Sequence, residues 1–401
     1  MISVSHPTGN TFVRALLQEL HHRDELTQFY TTLGCGTDSM LSGPLKRRSY
    51  PIPSSKILTH SWPELKRLMR SRLSLSKNKH QAPVDPIYRK LDRWVADQLP
   101  KRKPRVIHCY EDGALHTFER AKELGIRRSY ELPIAHHKTL RRLLRMEAER
   151  WPEWEPTLLA TRESDEKLKR KDLELEMADS ISCPSQFVLN SIPSSIRKKK
   201  NCSVAPFGTP KLSLIQTAKP RGKEDPVRFL FVGGMSQRKG LADLLEAFNN
   251  LASRKAELFV LGSPMMPLPF YRKQGNFTHK PPCSNDKVLA LMANCDVLVL
   301  PSIVEGRALV QQEAMSQGLP ILVTPNAGGE DLVKEEETGL LVEPGSPSIL
   351  AEKLEWFIRN RKNIPAMGQA ARDHAESYSW KAYAERIIRR SFAVERTHPR
   401  G

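Results

Sequence analysis

No run of about 18 apolar residues occurs anywhere in the 401-residue chain, so no helix is expected to span a membrane. The opening stretch, MISVSHPTGNTFVRALLQEL, lacks a basic start, a long apolar core and a small-residue cleavage site, and no secretory signal is expected there. Cysteine is scarce and unpatterned. Cys35, Cys109, Cys183, Cys202, Cys283 and Cys295 form no C-x-x-C pair and no His cluster sits at ligand spacing, which suits reduced thiols in a cytosolic protein and argues against a structural zinc. There is no internal repeat, no low-complexity tract, no G-x-G-x-x-G fingerprint and no P-loop. Acid is also short: 63 Lys and Arg against 45 Asp and Glu give a net charge of +18. The excess is uneven, with 38 against 24 in residues 1–218 and 25 against 21 in the remainder. A basic half suits an anionic partner, whether membrane headgroups, nucleic acid or a phosphorylated substrate, and sign alone does not choose among them.

What is present is a globular composition, 39% hydrophobic and 27% charged, at a length that accommodates two domains. The C-terminal half alternates strands and helices. Strands are expected at Val227–Val232, Ala256–Gly262, Asp296–Pro301, Pro320–Thr324 and Thr338–Val342. Helices are expected at 239–250, near 287–293, after about Ala308 and over Pro347–Ile358, with a loop of about 20 residues and five prolines following Gly262. Such spacing makes right-handed βαβ units and an open parallel sheet. The N-terminal half alternates less cleanly. Its strand candidates are Met1–Pro7, Gln28–Leu33, Arg105–Tyr110, Ser129–Ala135 and Ser203–Phe207, its first helix Thr11–Arg23, and residues 36–104 form a basic, Ser- and Pro-rich stretch. The polar segment Gln216–Asp225 is the best linker. The expected organisation is therefore α/β, with residues 1–218 and 219–380 as two Rossmann-like parallel-sheet domains facing each other across a cleft that takes a small ligand. Residues 381–401 form a helix that returns to the first domain.

The stretch Ser302–Leu332 sets Glu305 in a loop and Glu313 eight positions later on a helix. Gly306 and Ala308 keep the turn compact, so backbone N–H groups can face a ligand, and the helix N-terminus favours a phosphate. Glu305 could accept from sugar hydroxyls and Glu313 from the neighbouring hydroxyls of a ribose. The plainer alternative is two solvated charges at a helix start. Between another strand and helix, Gly233-Gly234-Met-Ser-Gln-Arg238-Lys239-Gly240 offers a glycine turn and two cations to a pyrophosphate.

The order of Val232-Gly233…Lys239-Gly240, Leu300-Pro301-Ser302…Glu305-Gly306…Glu313-Ala314-Met315…Gly318-Leu319-Pro320, Gly328-Gly329 and Thr338-Gly339 resembles glycosyltransferase family 4, the retaining group 1 enzymes of the GT-B fold. Glu174…Ala178-Asp179…Cys183-Pro184-Ser185 and Val204–Gly208 are similar to that family's end-of-first-domain pattern, and His6–Asn10 to its first-strand loop. The resemblance covers residues 170–390 well. It implies transfer of a sugar from a nucleoside diphosphate, UDP- or GDP-linked, to a glycan or lipid-linked acceptor, with no cofactor and no metal. It assigns the ribose to Glu313, the donor sugar to Glu305 and the diphosphate to Lys239. Gly306, Arg307, Ala308 and Leu309 face sugar and phosphates through their backbone, and the Gly9-Asn10 loop approaches from the opposite domain. The base falls in the loop around Thr278 and His279, and His136, after the strand ending at Ala135, contacts donor or acceptor. Two positions depart from the family pattern. Gly234 stands where Arg is usual, for which Arg238 could compensate, and Arg307-Ala308 stands where Phe-Gly is usual. Arg307 reads as a solvated side chain, or alternatively as a contact to phosphate or an acidic sugar.

Residues 61–73 put Trp62, Leu65, Leu68, Met69 and Leu73 on one helical face with Lys66, Arg67, Arg70 and Arg72 on much of the rest. Such a helix can lie on anionic lipid, although packing on its own domain is the commoner fate. The expected protein is a cytoplasmic glycosyltransferase, peripheral at the inner membrane face if that helix docks, with no nucleic-acid partner. The competing readings are a non-catalytic module using its basic N-terminal face on membrane or nucleic acid, and a nucleotide-sugar epimerase or hydrolase on the same fold.

Overall fold

The computed structural model of the chain describes residues 1–40, 48–73, 84–210, 225–253 and 255–392. The first part contains β1 (Ile2–Ser5), α1 (Thr11–His22), β2 (Leu26–Thr31), β3 (Ile57–Thr59), α2 (Ser61–Leu73), α3 (Asp85–Arg102), β4 (Val106–Tyr110) and α4 (Leu115–Glu123). It continues with β5 (Arg127–Glu131), α5 (His137–Arg150), α6 (Asp165–Met177), β6 (Ser180–Cys183), α7 (Gln186–Ser191), α8 (Ser194–Arg197) and β7 (Asn201–Val204). The second part contains β8 (Val227–Val232), α9 (Leu241–Asn249), β9 (Ala256–Leu261), α10 (Leu268–Gln274), β10 (Thr278–Lys280), α11 (Asn285–Met292) and β11 (Val297–Leu300). After these come α12 (Leu309–Ser316), β12 (Ile321–Val323), β13 (Gly339–Leu341), α13 (Pro347–Arg359), α14 (Ile364–Glu376) and α15 (Trp380–Phe392).

All the strands pair in parallel, in two sheets ordered β3-β2-β1-β4-β5-β6-β7 and β10-β9-β8-β11-β12-β13. Parallel strands need crossovers, and helices placed on both faces explain why β1, β4, β6 and β11 are buried along their whole length. In α1, Asn10 caps the N-terminus by accepting from the Val13 N–H, and Val13, Leu16, Leu17 and Leu20 form the buried stripe. That stripe meets Tyr383, Ala384, Ile387 and Ile388 of α15, so the last helix completes the first domain's core. Two sheets with helices on both faces are what the sequence reading anticipates.

Several expectations need correction. The linker 216–225 and the boundary at 218/219 fall outside the described residues, apart from Asp225. The strand expected over Ser129–Ala135 stops at Glu131, and the one expected over Ser203–Phe207 runs instead from Asn201 to Val204. The proline-rich stretch after Gly262 is not one loop. Pro267 and Pro269 sit at the start of α10, where a missing N–H costs nothing, and β10 adds an edge strand. Strand β6, with its Ser-Ile-Ser-Cys sequence, escapes detection because it is buried without being hydrophobic throughout. Helix α2 reverses the packing expected of it. Pro63 and Glu64 face inward, where Glu64 pairs with Arg48 (3.0 Å) and Arg67 (2.8 Å), while Trp62, Leu65, Leu68 and Met69 face outward.

The two domains are clasped by more than the connecting chain. A segment after α5 crosses over and seats Trp154, fully buried, within the second domain's core against Phe270 and Tyr271. Beside it Arg150 pairs with Asp243 (2.6 Å), and the Trp151 indole donates to the same carboxylate (3.2 Å).

Candidate functional site

Strand β8 ends at the turn holding Gly233 and Gly234, and a short 3₁₀ turn, Gln237–Lys239, precedes α9. Gly233 has φ +153°, and a Cβ there would lie 2.6 Å from Lys239 Cδ. Glycine is therefore required for Lys239 to fold back over the turn. Strand β11 leads into the loop 301–308, which hydrogen bonds hold to this turn: Ile303 N–H donates to Arg238 O (2.9 Å) and Arg238 Nη1 to Val304 O (3.2 Å).

The two loops bring three of the anticipated residues together. Arg238 Nη1 lies 2.8 Å and Lys239 Nζ 2.6 Å from Glu305 Oε1. Burial alone would raise the Glu305 pKa, but Lys239 and Arg238 outweigh it and hold the carboxyl below its ordinary value. Two cations and one carboxylate leave a net positive charge at the carboxyl end of a parallel sheet. Glu313, on α12, accepts from Asn285 Nδ2 at 3.3 Å, and burial raises its pKa.

The opposite domain closes directly onto this loop. A Cβ on Gly306 would come within 1.7 Å of Pro133 O, Ser185 Oγ donates to Gly306 O at 2.6 Å, and Val304 packs with Leu140 and Leu144 of α5. Leu309 packs against the first domain's core, and Gln312 Nε2 donates to Phe207 O (2.9 Å). A cavity of about 460 Å³ opens between the domains beside the loop, lined in part by Ser185, Val204, Pro325, Gly328 and Asp331. Beneath the Arg238–Lys239 turn, the N–H of Gln237 donates to Thr157 Oγ1 (3.1 Å). Its amide donates to Glu147 (2.6 Å) and Asp243 (2.9 Å), so Glu147 of α5 and Thr157 of the crossing segment hold the turn from below. Sequence reasoning missed Ser185 as a contact and Gln237 altogether; a polar residue in a charged turn carries no signal that it is buried.

Other anticipated residues have different partners. Arg307 is neither solvated nor open to a phosphate. Its side chain is fully buried, donating to Gln312 (3.0 Å), Gly328 O (3.1 Å) and Asp331 (2.6 Å), and lies over the Tyr378 ring. The Ala308 N–H is likewise committed, to Ala327 O at 3.2 Å.

His136 caps α5, its Nε2 3.1 Å from Asp172 Oδ1, which His137 Nε2 shares at 2.8 Å. Burial, reinforced by His137, lowers the His136 pKa to about 4, so the ring is neutral near pH 7. Its Nδ1 accepts from the Lys138 N–H, which puts the ring proton on Nε2, facing Asp172. That tautomer and the Lys138 ammonium 3.6 Å from Asp172 suit two imidazoles sharing one carboxylate better than a metal site. The Gly9-Asn10 turn is built within its own domain: His6 Nδ1 accepts from the Gly9 N–H (2.8 Å), and Asn10 is the α1 cap. Thr278 and His279 belong to edge strand β10, not to a loop, and His279 Nε2 lies 3.0 Å from Gly262 O. A Cβ on Gly262 would press on Gly233 O, so this strand end adjoins the Gly233 turn.

Residues 215–374 match the family model described as glycosyl transferases group 1. The match takes in nearly all of the six-stranded domain and none of the described seven-stranded sheet. A sulfoquinovosyl transferase from Arabidopsis thaliana is 33% identical over 112 residues, which is 27% of this chain and 22% of the relative. A D-inositol 3-phosphate glycosyltransferase from Paenarthrobacter aurescens is 29% identical over 174 residues, 40% of this chain and 43% of the relative. The chain thus matches less than half the length of either. Among solved structures, a sucrose-phosphate synthase from Thermosynechococcus elongatus superposes with a TM-score of 0.66 at 16% identity, covering 97% of both chains. The Anabaena protein HepE, solved in complex with UDP, gives 0.63 at 14% identity, covering 97% of this chain and 98% of that one. At such identities the likeness establishes the fold alone, and that fold is GT-B.

Proposed function

We propose that the protein is a retaining glycosyltransferase of family 4, moving a sugar from a nucleoside-diphosphate donor, UDP- or GDP-linked, to a glycan or lipid-linked hydroxyl. The observation that carries the reading is the Glu305–Lys239–Arg238 cluster at a strand end, on a loop whose next residue, Gly306, abuts the Pro133 carbonyl of the opposite domain. A bound diphosphate competes with Glu305 for the two cations. When they turn to the phosphates, Glu305 is released to accept hydrogen bonds from the sugar, so donor binding exchanges one set of charge-assisted bonds for another. Arg238, already beside Lys239, supplies the charge that Gly234 lacks.

In the reaction the sugar–phosphate bond breaks and the bond from the anomeric carbon to the acceptor oxygen forms on the same face. The acceptor proton passes to the departing diphosphate. Lys239 and Arg238 stabilise the charge that grows on the diphosphate in the transition state. Domain contacts at Gly306 exclude water and so suppress hydrolysis. Glu313 holds the ribose hydroxyls, with Asn285 as the partner it gives up. The sulfoquinovosyl transferase and D-inositol 3-phosphate glycosyltransferase relatives support a sugar transferase, and HepE's UDP supports a nucleotide donor.

The test is calorimetric titration with UDP, GDP and ADP on the wild type and Glu313→Ala. One nucleotide bound by the wild type and lost by the variant is the expected result. Absence of binding to all three would count against the donor site. If donor is consumed equally with and without added acceptors, the protein is a hydrolase or epimerase instead.

A further inference from the structure

Helix α2 is amphipathic in the wrong direction for a helix that packs only on its own domain. Its inward face carries Glu64, 2% exposed, neutralised by Arg48 and Arg67. Its outward face carries Trp62 at 70% exposure, Leu65 at 41% and Met69 at 59%, spaced three and four residues apart so that they share one side. A lone exposed apolar side chain is ordinary, whereas an aligned tryptophan, leucine and methionine over two turns is the pattern of a surface that another phase or partner covers. Charge decides which. Lys66 is exposed on the same helix, and from Leu65 to Val84 the sequence holds six Lys or Arg and no Asp or Glu. Apolar side chains beside Lys66, in a stretch whose sequence holds cations and no acid, match the boundary between acyl chains and anionic headgroups, with tryptophan at the interface and lysine reaching to phosphate.

The helix is also wired to the cleft. Arg48, which holds Glu64 at 3.0 Å, donates through Nη1 to Pro7 O (3.3 Å), in the loop that leads to Gly9. Strand β3 ends at Thr59, so α2 departs from the same sheet edge as that loop.

We infer that α2 docks the protein on an anionic lipid bilayer through Trp62, Leu65, Lys66 and Met69, holding the first-domain side of the cleft at the membrane surface. Docking does not depend on sugar transfer. If the proposed transfer is correct, docking selects a lipid-linked acceptor over a free glycan.

Flotation of the full chain with phosphatidylcholine vesicles, and with vesicles containing phosphatidylglycerol as well, tests this without donor or acceptor. The wild type should float with the anionic vesicles, and less so in high salt. The triple variant Trp62→Ser, Leu65→Ser, Met69→Ser should partition at least about tenfold more weakly, since three apolar side chains no longer enter the lipid. Because those side chains are exposed, its circular dichroism and melting temperature should match the wild type. Lys66→Glu should weaken binding without altering the fold. The inference is overturned if the wild type ignores anionic vesicles at low salt, or if the triple variant floats equally well. It is also overturned if sedimentation shows that the substitutions break a dimer of the free protein, since the face then covers a second copy. Failure in any of these ways leaves the nucleotide titration, and the transfer reading, untouched.

Discussion

Glu305 keeps its charge because two cations stand against the burial that would remove it, so removing one cation should expose the burial. Lys239→Ala should therefore lower turnover more than donor affinity, and should also raise the Glu305 pKa, moving the acid limb of the pH–rate profile toward neutral. The sign follows from a depressed pKa: in the wild type the charge persists at and below the ordinary value of 4.5, and the limb due to this group lies below it. Glu313→Ala should weaken nucleotide binding by about 1–3 kcal/mol, read by calorimetry, if two hydroxyls lose their acceptor in a desolvated site. Gly306→Ala should impair kcat/KM, because the added methyl collides with Pro133 O across the cleft. At this scale the sequence was legible where a residue's type and spacing place it at a strand end, as for Glu305 and Lys239, which the structure brings together. It was silent where a neighbour distant in sequence decides the role. Arg307 could not be known to pair with Asp331, 24 residues on, nor His136 to turn toward Asp172 on α6.

Among the elements, the segment after α5 deserves the sharpest test, since its tryptophan belongs to one domain by sequence and to the other by packing. Trp154→Ala should cost about 3–5 kcal/mol, as an emptied aromatic site in a core does, and should separate the melting of the two domains in calorimetry. Loss of stability with a single transition retained would mean that Gln237, Asp243 and Arg150 couple the domains unaided. Alternating strands and helices in the second domain were readable because β8, β9, β11, β12 and β13 are rich in Val, Leu, Ile or Phe and bounded by glycine or proline turns, whereas edge strand β10, Thr-His-Lys, carries no such signal. The first domain hides its order. Strand β6 is half serine, β3 is three residues long, and α2 presents its apolar face to solvent, so a pattern that normally reports burial reports the reverse.

For the whole molecule, charge buried in the first domain sets the response to pH. Glu174, fully buried, accepts from the Asp112 and Ala114 N–H groups (2.9 and 3.1 Å) and from the Tyr130 hydroxyl (3.2 Å). Burial pushes its pKa up to about 8 from 4.5. The folded state thus binds a proton that the unfolded chain has released, so its contribution is complete below 4.5 and is lost as pH rises through about 8. Above pH 6.5, where His136 is neutral in both states, denaturant titrations should show stability falling toward pH 8.5, by a smaller amount in Glu174→Gln; an unchanged slope in that variant would remove Glu174 from the account. The crossing of Trp154 into the second core and of α15 back onto α1 has another consequence. The halves are held together by more than peptide continuity between Pro210 and Asp225. Cleaved there, or produced as two polypeptides, the protein should reassemble from its parts, since each fragment carries a piece that the other needs to finish its interior.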